Sequence, residues 1–190
     1  MTPAPTGKPK VLVIMGSVRA GRHCPALAAW VAGIGQAETG LDFELVDLAA
    51  WPLPMDDEPN IPATGLYMQP HTRKWSEKIA EADAFVFVSP QYNWGYPAVL
   101  KNAIDHCHRE WHGKPLLIVT YGGHGGDKCA AQLRQVAEGL DMRLVPTMPA
   151  LPLARGMILG AAITPDTDFR EQIPQVRQGC RELAAMAPAP

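Results

Sequence analysis

Seven residues, Gly16-Ser-Val-Arg-Ala-Gly-Arg22, offer one hydroxyl and two guanidinium groups to a single small anion. Ser17 supplies a compact donor, and Arg19 and Arg22 supply planar forks that match the oxygens of a phosphate. An uninterrupted apolar run, Val11 to Met15, precedes them, and a helical pattern begins at about Cys24–Pro25. The loop therefore lies between the carboxyl end of a strand and the start of a helix. Unpaired backbone N–H groups and the positive pole of the helix dipole meet there, which favours bound negative charge. The spacing is neither Gly-x-Gly-x-x-Gly nor Gly-x-x-x-x-Gly-Lys-Ser/Thr, so neither common nucleotide loop is present. The plain alternative is an ordinary turn with two solvated arginines.

Two later loops weigh against that alternative. Ser89-Pro-Gln-Tyr-Asn-Trp-Gly-Tyr-Pro97 holds three aromatic rings, and rings of this size are costly to leave bare in water. Gln91 and Asn93 add amide donors and acceptors suited to the edge of a heterocycle, while Pro90, Gly95 and Pro97 stiffen the path. A contact with a neighbouring subunit would use the same residues. Tyr121-Gly-Gly-His-Gly-Gly126 has four glycines in five positions, which lets backbone N–H groups approach a ligand closely. Alone, that loop reads equally well as a hinge. Together, the three loops describe a site for a planar heterocycle that carries a phosphate.

The elements between the loops place all three on one rim. Val11–Met15 lacks polar alternation, as a strand buried on both faces should. Leu27, Trp30, Val31 and Ile34 recur at helical spacing over residues 25–36, and residues 41–48 read as a second strand nearer the sheet edge. Helices are expected at 69–81, 97–110 and 127–140, and strands at 83–89, 115–121 and 142–145, the last reaching toward Met148. A final helix spans 166–185 with a kink or break at Pro174. Strand and helix alternate five times, which gives an α/β three-layer sandwich with a five-stranded parallel sheet. The compact doubly wound order is 2-1-3-4-5, and its switch point lies between strands 1 and 3. The loops after those strands then face one crevice.

Composition narrows the function. A chain of 190 residues with net charge −2 fits one domain, here residues 10–186, and shows neither a basic face for nucleic acid nor a tail of one sign. No run is long enough to span a membrane, and residues 1–9 lack the apolar core of a signal peptide, so a flexible leader, a flexible tail at 187–190 and a cytoplasmic location are expected. Cys24, Cys107, Cys129 and Cys180 form no Cys-x-x-Cys and read as reduced, buried thiols. His106, His108 and His112 with Cys107 invite a metal, but only His108 and His112 share a helix face and no third ligand is placed, so no metal is expected. Residues 51–62, with four prolines and three acids, read as an irregular excursion that overhangs a ligand or meets a partner. Residues 148–157 are apolar and proline-rich, which favours an oligomer contact over a lid.

These loops resemble the NADPH-dependent FMN reductase family, a flavodoxin-like group that includes small quinone and azo reductases. Gly16-Ser-Val-Arg-Ala-Gly-Arg22 is similar to the family's Gly-Ser-x-Arg loop, and residues 90–105 are similar to its long central motif nearly throughout. Residues 121–126 are similar to its third loop, and the likeness runs from about Lys10 to Val145. Where many members carry serine and asparagine after the loop arginine, this chain has Arg22, His23 and Cys24. The resemblance implies that Ser17, Arg19 and Arg22 hold the phosphate of FMN. Pro90, Gln91, Tyr92, Asn93 and Trp94 then line the flavin, and Gly122 and Gly123 approach its pyrimidine edge. It implies ping-pong hydride transfer from NADPH or NADH to flavin N5 and then to a quinone, azo compound or free flavin. No protein nucleophile is needed; His124 reads first as a solvated loop residue, with proton delivery as the alternative. A homodimer or tetramer through the 97–108 helix is also implied. The competing readings are a flavodoxin-like electron carrier, a flavin-reductase partner of a monooxygenase, and an interaction protein that has lost its cofactor.

Overall fold

The computed structural model describes residues 7–188; the first six residues of the expected leader and the last two of the expected tail lie outside the described residues. The chain builds β1 (Lys10–Met15), α1 (Cys24–Thr39), β2 (Asp42–Asp47), α2 (Pro70–Ala80), β3 (Ala84–Pro90), α3 (Ala98–Asp105), β4 (Pro115–Gly122) and α4 (Asp127–Gly139). Two short strands, β5 (Arg143–Leu144) and β6 (Ala150–Pro152), follow, and then α5 (Arg155–Ile158), α6 (Pro165–Asp168) and α7 (Ile173–Met186). All pairings between these strands are parallel, in the order β2-β1-β3-β4-β5, with β6 also on β4.

The burial of the central strands explains their unbroken apolar sequences. Val11, Val13 and Met15 point to the face covered by α1 and α7, where Leu27, Val31, Val176 and Leu183 meet them. Leu12 and Ile14 point to the other face, against Trp75, Ile79, Leu100 and Ile104 of α2 and α3 and Leu133 of α4. Successive residues of a strand point to opposite faces, so a strand covered twice is apolar along most of its length, with polar Ser89 and Thr120 only near the carboxyl ends of β3 and β4.

Three elements differ from the expectations. The fifth sheet position is filled by two pieces, because Pro146 and Pro149 have no N–H to offer the ladder between them. Val145 N still donates to Leu116 O and Thr120 N to Pro149 O, which keeps β5 and β6 in line. Helix α3 stops at Asp105 rather than 110. The indoles of Trp75 and Trp111 take the carbonyls of Ala103 and Ile104 at 2.7 and 3.1 Å, which satisfies the helix end. His108 and His112 therefore share no helix face. The terminal helix begins at Ile173, with Pro174 in its first turn, where a missing N–H costs nothing. Before it, α6 and a 3-10 turn at Arg170–Gln172 rotate Phe169 fully into the core.

Candidate active site

The carboxyl ends of β1, β3 and β4 open into a cleft of about 230 Å³. The first loop leaves β1 at Gly16, whose N–H donates to Val88 O at 2.9 Å. A Cβ on Gly16 would lie 3.0 Å from Leu100 Cδ2 and 3.1 Å from Ser89 Oγ, so a side chain there would crowd both neighbours. Ser17 is fully buried, with Oγ 2.8 Å from the Tyr92 hydroxyl and accepting from Arg19 N at 3.4 Å. The Arg19 guanidinium carbon lies 3.9 Å from the centre of the Tyr92 ring. These contacts join the first and second loops into one wall.

Arg22 turns the other way. Its Nη2 donates to Asp47 Oδ2 at 2.5 Å. Helix α1 starts beside it with no side-chain cap and no acidic residue in its first turn. The positive end of that helix is therefore left available.

The second loop shows why its residue types recur at fixed positions. Gln91 N donates to Tyr121 O, and its side-chain oxygen accepts from Lys128 N and Cys129 N at 3.0 and 3.2 Å. Gln91 thus caps α4 from outside the helix, since the residue at the cap itself, Gly126, has no side chain. Asn93 and Trp94 form a two-residue reverse turn, with reciprocal backbone bonds between Tyr92 and Gly95 at 2.8 and 2.9 Å. Both have positive φ, 47° and 69°, as such turns demand, and for tryptophan this is strained. In the third loop Gly125 and Gly126 have φ of 72° and 89°, and a Cβ on Gly126 would meet Thr120 Cβ at 2.8 Å.

Of the residues singled out in the sequence, Arg19, Arg22, Pro90, Gln91, Tyr92, Gly122 and Gly123 line one cleft. Ser17 lies behind the wall, bound to Tyr92. Asn93 and Trp94 stand at the hairpin tip outside the lining, and Trp94 is 70% exposed. His124 is exposed on the glycine loop.

Sequence reasoning missed the opposite wall, which comes from Leu153, Met157, Ile158 and Gly160. Leu153 N donates to Gly122 O at 2.8 Å. The carbonyl of Met157 can only accept, so His23 Nε2 donates to it, also at 2.8 Å. This apolar, proline-rich stretch reads as a subunit contact by composition, and no periodicity points to the cleft. Tyr121 was also missed. It lines the cleft, and its hydroxyl is buried beside the Cys24 thiol, which is turned to Val88 O at 3.2 Å.

Protein groups at the site are poor reagents. Burial pushes the thiols of Cys24 and Cys129 up to about 11, and raises the Tyr121 phenol well above its ordinary value. Among the described residues no group of three His, Cys, Asp or Glu side chains is placed to hold a metal. What the cleft does offer is unfilled donors. Arg22 Nε and the Tyr121 hydroxyl are the two buried side-chain polar atoms without a partner among the described residues, and both belong to residues of this one cleft. A buried donor left alone costs about 1–3 kcal/mol, so two on residues of one cleft call for an acceptor from outside the chain. With Gly122 and Gly123 leaving the glycine loop clear, this donor set suits an anionic tail on a flat ring.

A doubly wound sheet with such a cleft at its switch point defines a flavodoxin-like protein built to hold a phosphorylated ring. A solved structure described as the flavoenzyme NAD(P)H:(acceptor) oxidoreductase FerB from Paracoccus denitrificans superposes with a TM-score of 0.72. The match covers 95% of this chain and all of that one at 19% identity, a likeness of fold. Sequence carries the comparison further. The model of the NADPH-dependent FMN reductase family matches residues 9–155, and the chain belongs to that family. An NAD(P)H-dependent FMN reductase of Schizosaccharomyces pombe is 54% identical over 180 residues, covering 94% of this chain and 90% of the relative. An NADPH:quinone oxidoreductase of Arabidopsis thaliana is 34% identical, covering 72% and 70%. The chain is an NAD(P)H-dependent oxidoreductase with FMN as its cofactor. No helix of the described residues is long and apolar enough to cross a membrane.

Proposed function

We propose that the enzyme reduces a quinone, an azo compound or free flavin at the expense of NADPH or NADH, in two half-reactions that use one open face of the cleft in turn. Bound FMN would supply the redox chemistry, the two-electron exchange between the nicotinamide and the acceptor. The chain's residues bind and orient. Arg19 and Arg22, with the N-terminus of α1, hold the phosphate, and Ser17 supports the wall from behind through Tyr92. Pro90, Gln91 and Tyr92 form one wall against the ring, Leu153, Met157 and Ile158 the other, and Gly122 and Gly123 face its edge. Asn93 and Trp94, at the hairpin tip, meet the incoming acceptor, and His124, exposed on the glycine loop, delivers a proton. The observation that carries this reading is the pair of unpartnered donors, Arg22 Nε and Tyr121 hydroxyl, on residues of a cleft that Arg19, Gln91 and Tyr92 line beside apolar and glycine residues. The name of the Arabidopsis relative supports a quinone as acceptor.

Homo-oligomer formation around α3 belongs to the same reading. Asn102 and His106 strap the 51–66 excursion to α3 through the carbonyls of Leu53 and Pro54, and Met55, Ile61, Leu66 and Met68 remain exposed on or beside that excursion. Light scattering of the purified chain reads the assembly directly.

Anaerobic mixing tests the chemistry. NADPH should bleach the absorbance of the FMN-loaded chain, a quinone should restore it, and initial rates should give parallel double-reciprocal lines. Bleaching that no quinone, azo dye or free flavin reverses would sink the proposal and favour an electron carrier with a protein partner.

A further inference from the structure

Asp47 lies 25 residues beyond Arg22 and outside every loop assigned to the ligand, yet it holds the Arg22 guanidinium. The sheet explains how. β2 pairs with β1 in a register that sets Asp47 opposite Met15, so the carboxylate emerges beside the loop that follows β1. Its two oxygens have separate tasks. Oδ1 accepts from Ala49 N at 3.0 Å and fixes the carboxylate to the turn after β2, while Oδ2 accepts from Arg22 Nη2 at 2.5 Å. Most surface ion pairs join two roaming side chains and contribute little. This one is anchored at the carboxylate, and the arginine side chain is only 18% exposed.

The rest of the fork is what matters for the ligand. A guanidinium has five N–H donors in one plane, so holding Nη2 orients the remaining ones. Among the described residues no side chain or carbonyl other than Asp47 accepts from the Arg22 side chain, and Nε is buried without a partner. An arginine that only needed neutralising would be satisfied by solvent. This one is turned so that a buried edge stays vacant, next to a helix N-terminus that is also uncapped.

We propose that Asp47 is a positioning residue that presents Arg22 to the phosphate of the flavin, and thereby sets the preference for phosphorylated over unphosphorylated flavin; this rests on the phosphate-cradle reading given above. The carboxylate would itself repel a phosphate, but the paired arginine neutralises it. The net positive field at the cradle then comes from Arg19 and the start of α1, and Asp47 contributes geometry.

The test is flavin binding by the full chain stripped of flavin, titrated separately with FMN and riboflavin by fluorescence quenching. Asp47→Asn keeps an oxygen for Ala49 N and removes the charge that holds Arg22. It should raise the Kd for FMN about tenfold, roughly 1.4 kcal/mol, and leave that for riboflavin unchanged. In an Arg22→Gln background the same change should add nothing, since the two act as a unit. Three results would overturn the proposal: FMN binding unchanged or tighter in Asp47→Asn, equal losses for both flavins, or a full loss that persists without Arg22. A wild-type chain that binds FMN and riboflavin equally overturns the cradle itself. That failure is visible before any variant is made, so the two failures are distinguishable.

Discussion

Between α2 and α3 the buried polar groups of Thr72, Asn102 and His106 all find partners within the chain, whereas two donors behind the cleft find none. His106 is fully buried. Its Nε2 donates to the Pro54 carbonyl at 2.9 Å, which leaves Nδ1 to accept from the Thr72 hydroxyl, also at 2.9 Å. Asn102 donates to the same Pro54 carbonyl at 2.9 Å. That network is closed, and its role is to fasten the 51–66 excursion onto two helices. The cleft is left open at the same level of burial. The difference separates polar groups that serve the fold from polar groups kept for a ligand, and it does so without reference to residue type.

The largest expected effect tests the closed side. His106→Leu leaves Thr72 without a partner and should cost about 2–4 kcal/mol of stability, read as a lower urea midpoint, with FMN affinity of the folded protein unchanged. Lost FMN affinity at an unchanged midpoint would place His106 with the ligand and erase the contrast. On the open side, Tyr121→Phe removes a donor that has no partner to lose. Melting of the flavin-free chain should stay level or rise, while FMN binding weakens by about threefold to tenfold, the worth of one ordinary hydrogen bond. A drop in flavin-free melting temperature comparable with that of His106→Leu would show that the hydroxyl serves the fold after all.

The smallest effect concerns strain at the hairpin tip. Trp94→Gly relieves a left-handed backbone at φ 69° and should stabilise the chain by about 0.5–1 kcal/mol, a rise in Tm of about 1–4 °C. If Trp94 guides the acceptor, the acceptor KM should rise in the same variant while the NADPH KM holds. A variant that is more stable and kinetically identical would leave the strained tryptophan without a part in turnover.

How much of this was legible beforehand depends on the range of the interaction. β1, β3 and β4 announced themselves because helices cover both faces and force a nearly unbroken apolar run in each. The three loops were legible because glycine, proline and arginine carry their meaning locally. The partner of Arg22 was not, since only the β1–β2 register brings Asp47 beside it. The wall at Leu153–Gly160 was hidden for the same reason: its place follows from β6 adding to β4 and from one bond between His23 and Met157, and neither leaves a periodic trace. Trp111, whose indole ends α3 early, acts across seven residues through tertiary packing that a helical pattern cannot show.

One amide has a wider reach than its size implies. Because the oxygen of Gln91 is engaged by the first N–H groups of α4, only its NH₂ remains for anything in the cleft, so the side chain can give a proton in a hydrogen bond and cannot receive one. A glutamate there would grip the helix dipole better and turn a welcoming edge into a repelling one. Selection for a sturdier fold alone would thus push this position toward a residue that disarms the enzyme, and a thermostability screen that ignored turnover would be expected to find it.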